Sequence, residues 1–400
     1  MQRIIGLFGL FVILALAWLL SENRRRMNWR LIFSGLLLQF AVAVVLLKTA
    51  VGRQLFDSFQ SFTEQILGFS DRGAEFVFGA GFREHYFAFS VLPTIIFVAS
   101  ATAVLFHLGI IQWVVKGMAW VMLRVMNVSG TESLAAAAEV FVGMTESPLL
   151  IRPYLASMTR SEIMAMMTAG MGTVAGGVLA VYVAMGVPAG HLLAASLMAA
   201  PASLVVAKMM VPETEDSPTK GTVRIEVPRT DRNVLDAACR GAGEGLKLAL
   251  NVGAMIIALI ALVACVNTLL GLLGNWGGAP LSLERVLGWL FAPLAWALGV
   301  EWSEARTVGM LMGKKTILNE MLAYQDLVAL SDQLSARTRV IATFALCGFA
   351  NLGSVAVQIG GISGLAPERR PIFAQYGLKA MIGGTLATFM TAAIAGILVE

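Results

Sequence analysis

Two carboxylates stand where the surrounding sequence is apolar. Glu146 lies in Gly143-Met144-Thr145-Glu146-Ser147-Pro148, ahead of Leu149-Leu150-Ile151, and Glu320 lies in Thr316-Ile317-Leu318-Asn319-Glu320-Met321-Leu322. At membrane depth an ionisable group is costly and marks a substrate or ion path by default. Pro148 removes a backbone donor and frees a carbonyl in the preceding turn. With Gly313 ahead of Glu320, it predicts that both carboxylates sit on broken helices. Glu146 is then an acceptor facing a cavity, or a partner of Arg152 that closes a hairpin. Glu320 beside Asn319 offers two acceptors and an amide, a set that can hold a sugar or other diol; the alternative is a salt bridge to Lys314 or Lys315. Glu139, after the run Ala135–Ala138, can bind a cation or a proton, or pair at the hairpin base. Asn351 and Ser354 are one helical turn apart and share a face. Gly348 and Gly353 beside them permit an unwound stretch, and interhelical hydrogen bonding is the competing use of both polar groups. Thr173 with Val174, in a glycine-rich run, offers a hydroxyl and carbonyls to a cation.

The elements that must carry these groups are membrane spans. Hydrophobic residues make up 58% of the 400 residues and charged residues 14%, against roughly 25% charged in a soluble domain; mean hydropathy is +0.77. Apolar runs near the ~20 residues a crossing needs fall at Ile4–Leu20, Trp29–Leu47, Phe87–Val115, Glu162–Val187, His191–Met210, Leu246–Leu273, Arg339–Gly361 and Phe373–Leu398, eight expected spans. The first reads as a span rather than a signal peptide: Arg24-Arg25-Arg26 and Arg30 follow it, and no small-x-small cleavage site appears. The positive-inside rule puts that cluster in the cytoplasm and the N-terminus outside; alternation then places Arg369-Arg370 inside and the C-terminus outside. Residues 51–85 carry Phe56, Phe59, Phe62, Ile66 and Leu67 at helical spacing among Asp57, Gln60 and Glu64, the pattern of an interfacial amphipathic helix; Met118 to Met126 is a second interfacial segment. Residues 212–240, with Arg224, Arg229, Arg232 and Arg240, read as a cytoplasmic loop.

Several function classes lack support. The net charge of +4 contains no basic run interleaved with aromatics, so nothing points to nucleic acid. Walker A, Gly-x-Ser-x-Gly and His-Glu-x-x-His patterns are absent from the sequence. Cys239, Cys265 and Cys347 have no metal-ligand spacing, and His85, His107 and His191 are scattered. In each half a span leads to a broken segment with a Glu (Ser133–Met158, Ser303–Tyr324), then a glycine-bearing span, then another span. The second unit enters from the opposite side, the pattern of an inverted repeat with its binding site at the breaks. The expected organisation is 1–130 N-terminal spans and scaffold, 131–211 first hairpin and transport spans, 212–245 cytoplasmic loop, 246–302 scaffold span and interfacial segment, and 303–400 second hairpin and transport spans.

These residues resemble the concentrative nucleoside transporter family over nearly the whole chain. The likeness is carried by Gly143 through Tyr154, Met167-Thr168-Ala169-Gly170, Ala200-Pro201-Ala202-Ser203, Pro212-Glu213-Thr214-Glu215, Lys315-Thr316 through Asn319-Glu320, and Cys347-Gly348-Phe349-Ala350-Asn351. The resemblance implies an all-α integral membrane protein of the bacterial inner membrane, with eight spans, two re-entrant hairpins, interfacial helices, and scaffold and transport parts. It implies a homotrimer with a site in each protomer, no organic cofactor, and nucleosides as substrate. By position, Thr145 and Glu146 would meet the nucleobase, Phe349 would pack near it, and Glu320, Asn351 and Ser354 would meet the ribose hydroxyls. Two departures bear on function. Met144 stands where the family often has Gln, which suggests a purine preference. Glu139 stands where sodium-coupled members have Asn, alongside Val142, Thr173 and Val174 as the coupling-cation set; a carboxyl, unlike a carboxamide, can load and release a proton. The expected function is a cation-coupled nucleoside symporter, with proton ahead of sodium. An intramembrane enzyme using the paired carboxylates and a passive channel are the alternatives.

Overall fold

A computed structural model describes residues 2–85, 87–221, 231–276 and 279–399. Arg224 and Arg229 of the expected loop lie outside the described residues. The helices are α1 (Gln2–Leu19), α2 (Trp29–Lys48), α3 (Ala50–Phe78), α4 (Leu92–His107), α5 (Ile110–Met126), α6 (Gly130–Glu139), α7 (Ser147–Leu150), α8 (Arg160–Gly172), α9 (Gly176–Ala184), α10 (Ala189–Met210), α11 (Val234–Gly271), α12 (Leu283–Ala297), α13 (Trp302–Ile317), α14 (Glu320–Ala329), α15 (Ala336–Leu346), α16 (Leu352–Ser363) and α17 (Arg370–Leu398). Among the described residues the one sheet is an antiparallel pair, Asn275–Trp276 with Ala279–Pro280.

Apart from that pair, the described elements are helices, as the apolar runs dictate, because in lipid each segment must satisfy its own backbone. Six helical stretches among the described residues are long and apolar enough to cross a membrane: α2, residues 88–107, α8 with α9, α10, α11, and 367–398. Two of the eight expected spans fall short of that measure. Helix α1 is slightly short, and 339–361 is split into α15 and α16. A bent pair, α12 and α13, turns through 118°.

Three boundaries differ from expectation. The run Phe87–Val115 ends at His107, because Gly109 takes φ +81°, a left-handed stop, and α5 starts at Ile110. Met118–Met126 is therefore the second part of α5. Helix α11 begins at Val234, inside the stretch read as loop: Asn233 caps it by accepting the Asp236 N–H at 2.9 Å, and Asp236 supplies an acid in the first turn. The amphipathic α3 is not among the crossing helices, in keeping with an interfacial reading.

The core is built from α6, α8, α10 and α17, which pack on one another and are buried along most of their lengths. Helix α11 is the opposite: nearly all of its apolar crossing window faces outward. Two helices of the core begin with reciprocal caps. Ser129 and Glu132 open α6, and Thr159 and Glu162 open α8, each pair satisfying two otherwise orphaned donors.

Candidate functional site

Four helix interruptions meet inside this core. The first hairpin breaks between α6 and α7, at Val140–Glu146; α8 and α9 break at Thr173–Ala175; α13 and α14 at Leu318–Asn319; α15 and α16 at Cys347–Asn351. Every interruption leaves backbone groups without an intrahelical partner, and three of the breaks serve one another. The Gly176 N–H donates to the Phe141 carbonyl at 3.1 Å, and the Phe349 N–H donates to the Thr173 carbonyl at 3.2 Å. The close approach requires glycine. A Cβ on Gly348 would lie 2.7 Å from Thr388 Cγ2 and 3.0 Å from the carbonyl oxygens of Gly172 and Met171.

Asparagine opens both second-half helices. Asn319 caps α14, accepting the Leu322 N–H at 2.9 Å. Asn351 caps α16, accepting the Ser354 N–H at 2.8 Å. Asn351 and Ser354 are thus brought together as a cap and its third residue, not as two positions on a helical face. The cap leaves the Asn351 amide free to donate to Glu320 Oε2 at 3.0 Å. On the other oxygen of Glu320, the Tyr182 hydroxyl donates at 2.7 Å. The expected alternative, a salt bridge to a neighbouring lysine, is not formed. Lys314 pairs with Asp326 at 2.7 Å, and the buried Lys315 donates to Thr388 Oγ1 at 3.2 Å, with its ammonium over the Phe389 ring.

At the first hairpin, Glu146 accepts the Gly143 N–H and its side chain is exposed. It does not pair with Arg152; the charges that bear on it belong to Arg240 and Glu244 of α11. Thr145 packs against α16, its Cγ2 2.6 Å from where a Cβ on Gly361 would sit. Met144 is buried, with its Cβ against Gly170, where the Glu139 carboxylate and the Gln358 amide also converge. Glu139 is 1% exposed. The Ser147 hydroxyl donates to its Oε1, and its Oε2 has no protein partner. Val142, Thr173 and Val174 are buried nearby in the chain's breaks, and Phe349 is half-buried. No hydrogen bond or ion pair among the described residues joins Glu146 to Glu320.

Sequence reasoning missed Tyr182 and Gln358. Gln358 is fully buried on α16, donates to the Met167 carbonyl at 3.1 Å, and leaves its Oε1 unpartnered. The available signal was polarity inside apolar runs: a buried tyrosine hydroxyl or carboxamide must find a partner.

A chain of mostly apolar helices, broken where they converge on buried carboxylates, is a multi-pass membrane transporter. Known proteins narrow that class. Residues 8–81 and 191–396 match the families described as Na+ dependent nucleoside transporter N-terminus and C-terminus, and residues 88–189 match that described as Nucleoside recognition. The uncharacterized transporter YutK of Bacillus subtilis is 44% identical, over 98% of this chain and 99% of that one. Solute carrier family 28 member 3 of Mus musculus is 40% identical over 99% of this chain, which spans 59% of that protein's length. A structure of CNTnw in an inward-facing substrate-bound state superposes with a TM-score of 0.93 at 42% identity, covering 100% of this chain and 98% of that one. The chain belongs to the Na+ dependent, or concentrative, nucleoside transporter family, whose members are cation-coupled nucleoside transporters and not enzymes.

Proposed function

We propose that this chain is a symporter that concentrates nucleosides, prefers purine nucleosides, and couples to protons ahead of sodium. The observation that carries the coupling choice is Glu139: a carboxylate 1% exposed, with one oxygen held by Ser147 and the other without a protein partner. A buried orphaned carboxylate oxygen is costly, and a proton or a cation relieves that cost. Val142, Thr173 and Val174 complete the proposed ion site. The nucleoside lies between the hairpin tips, with Met144, Thr145 and Glu146 toward the base, Phe349 against it, and Glu320, Asn351 and Ser354 toward the ribose. The carboxylate of Glu320, already aligned by donors on both oxygens, supports that assignment.

In the cycle we propose, the ion binds first and fixes the first hairpin. The nucleoside then joins the two tips, and the transport part (131–211 and 303–400) moves against the scaffold (1–130 and 246–302) by alternating access between two inverted repeats. The family likeness supports a homotrimer in a bacterial inner membrane. The basic cluster Arg24–Arg26 supports both termini outside.

The test is uptake of labelled adenosine into proteoliposomes with proton and sodium gradients imposed separately. A proton gradient should drive accumulation of unchanged adenosine, and Glu139→Gln should abolish that dependence. Proton-driven uptake that survives in Glu139→Gln sinks the coupling assignment, and equilibration without accumulation identifies a channel.

A further inference from the structure

The Tyr182–Glu320 contact joins elements that sequence keeps far apart. Tyr182 sits on α9 in the first half of the chain, is fully buried, and reaches across 138 positions to the first residue of α14. Its ring lies 4.7 Å from that of Tyr324, tilted by 40°. The Tyr324 hydroxyl points elsewhere, donating to the Thr343 carbonyl on α15 at 2.8 Å. The two tyrosines thus form a buried block, of which one hydroxyl reaches the carboxylate and the other anchors to the backbone.

The terminal torsion of a glutamate is broad and roughly two-fold, so an unheld carboxylate samples many planes. Here the plane is fixed from two sides, by Tyr182 on Oε1 and by Asn351 on Oε2. An ionised carboxylate has about four lone-pair sites. Each oxygen has one side-chain donor, and the Glu320 N–H also bears on the carboxylate. The acceptor capacity that remains, held in one plane, matches the two adjacent hydroxyls of a ribose.

We infer that Tyr182 is the positioning residue of the sugar site, and that through Glu320 it sets the preference for ribonucleosides over 2′- and 3′-deoxyribonucleosides. This rests on the reading of Glu320 as the ribose acceptor. Tyr182 does not touch the sugar; it holds the group that does. Removing its hydroxyl keeps the ring against Tyr324 but releases Oε1, so the carboxylate no longer presents both acceptors together.

The experiment measures equilibrium binding and uptake of adenosine, 2′-deoxyadenosine and 3′-deoxyadenosine by the full chain and three variants. Tyr182→Phe should raise the adenosine Kd and KM roughly tenfold, the order expected for one hydrogen bond to a charged group. It should leave the maximal rate near its original value and bring the ribose-to-deoxyribose affinity ratio toward one. Tyr324→Phe, whose hydroxyl serves Thr343 instead, should keep the original ratio. If Tyr182→Phe weakens all three ligands equally with the ratio intact, Tyr182 is only packing and the inference is overturned. Glu320→Gln tests the underlying reading separately: a ratio unchanged there removes Glu320 from the sugar site, whatever Tyr182 does. Should Tyr182→Phe fail to fold, Tyr182→3-fluorotyrosine keeps the hydroxyl. Its fluorine resonance should shift on binding adenosine and shift less on binding either deoxynucleoside; equal shifts overturn the inference.

Discussion

Glu139 and Glu320 are both buried acids, and they differ in how their oxygens are used. Glu320 has a donor on each oxygen from two separate helices, while Glu139 has one donor and one bare oxygen. The first arrangement suits a fixed acceptor for a ligand, and the second a group that gains and loses a small ion. Met144 is the other residue in the proposed selectivity. Its thioether can at most accept weakly, so a base that needs a paired donor and acceptor finds none at that position. Met144→Gln should therefore improve competition by uridine against labelled adenosine by about fivefold, near 1 kcal/mol for one added hydrogen bond; an unchanged uridine-to-adenosine ratio would remove Met144 from selectivity. Much at this scale was legible, because a carboxylate in an apolar run is conspicuous. The work of Asn319 and Asn351 was not. A spacing of three between Asn351 and Ser354 is the same for two positions on one helix face and for a cap with its third residue, and only the location of the break decides which applies.

At the scale of elements, the breaks hold the proposed site, and glycine makes their mutual approach possible. Gly348 rests against two carbonyl oxygens at the end of α8, and backbone cannot retreat as a flexible side chain can. Gly348→Ala should cost ~1–3 kcal/mol, the range for overpacking a filled interior. It should lower the thermal midpoint and separate the α8–α9 break from the α15–α16 break, read as faster amide exchange at Phe349. An unaltered midpoint with unaltered exchange would show that the contact has slack. Pro148, in the first turn of α7, lies just past the first break and signals it, whereas Gly313, read as breaking the second segment, lies inside α13, which runs on to Ile317. The interruption of α15 and α16 was foreshadowed by Gly348 and Gly353, yet its consequence, a span divided into two pieces of 11 and 12 residues, was not. The end of α4 went unread because Gly109 sits within a continuous apolar run, and hydropathy is blind to a left-handed stop.

At the scale of the whole molecule, a polar cluster ties the base of the first hairpin to the core. Lys208 of α10 lies 2.7 Å from Glu132 of α6 and 3.2 Å from Glu213. Beside it, Glu162 of α8 accepts from Thr131 at 3.0 Å and from Ser217 at 2.6 Å. Lys208→Met would keep the bulk and strand the carboxylates, a loss of ~3–5 kcal/mol for a broken buried pair. Size-exclusion profiles after heating should show it as a marked fall in surviving protein, and a profile like the wild type's would count against a stabilising role. Residues 213–219 were read as plain loop because charge and proline suggest solvent, and no local pattern tells that Glu213, Ser217 and Thr219 fold back onto a helix base. Nor does local pattern reveal contacts between halves, such as Tyr182 with Glu320 or Phe349 with Thr173. Those contacts have a consequence for biosynthesis. When the ribosome has made only the first half, the break after α8 has a carbonyl whose partner does not yet exist, and an unsatisfied backbone group in hydrocarbon costs several kcal/mol. That carbonyl must therefore stay wetted or shielded until Phe349 emerges. Asn351, the proposed ribose contact, emerges just after Phe349, so the proposed site would be completed in the same late step of synthesis as that pairing.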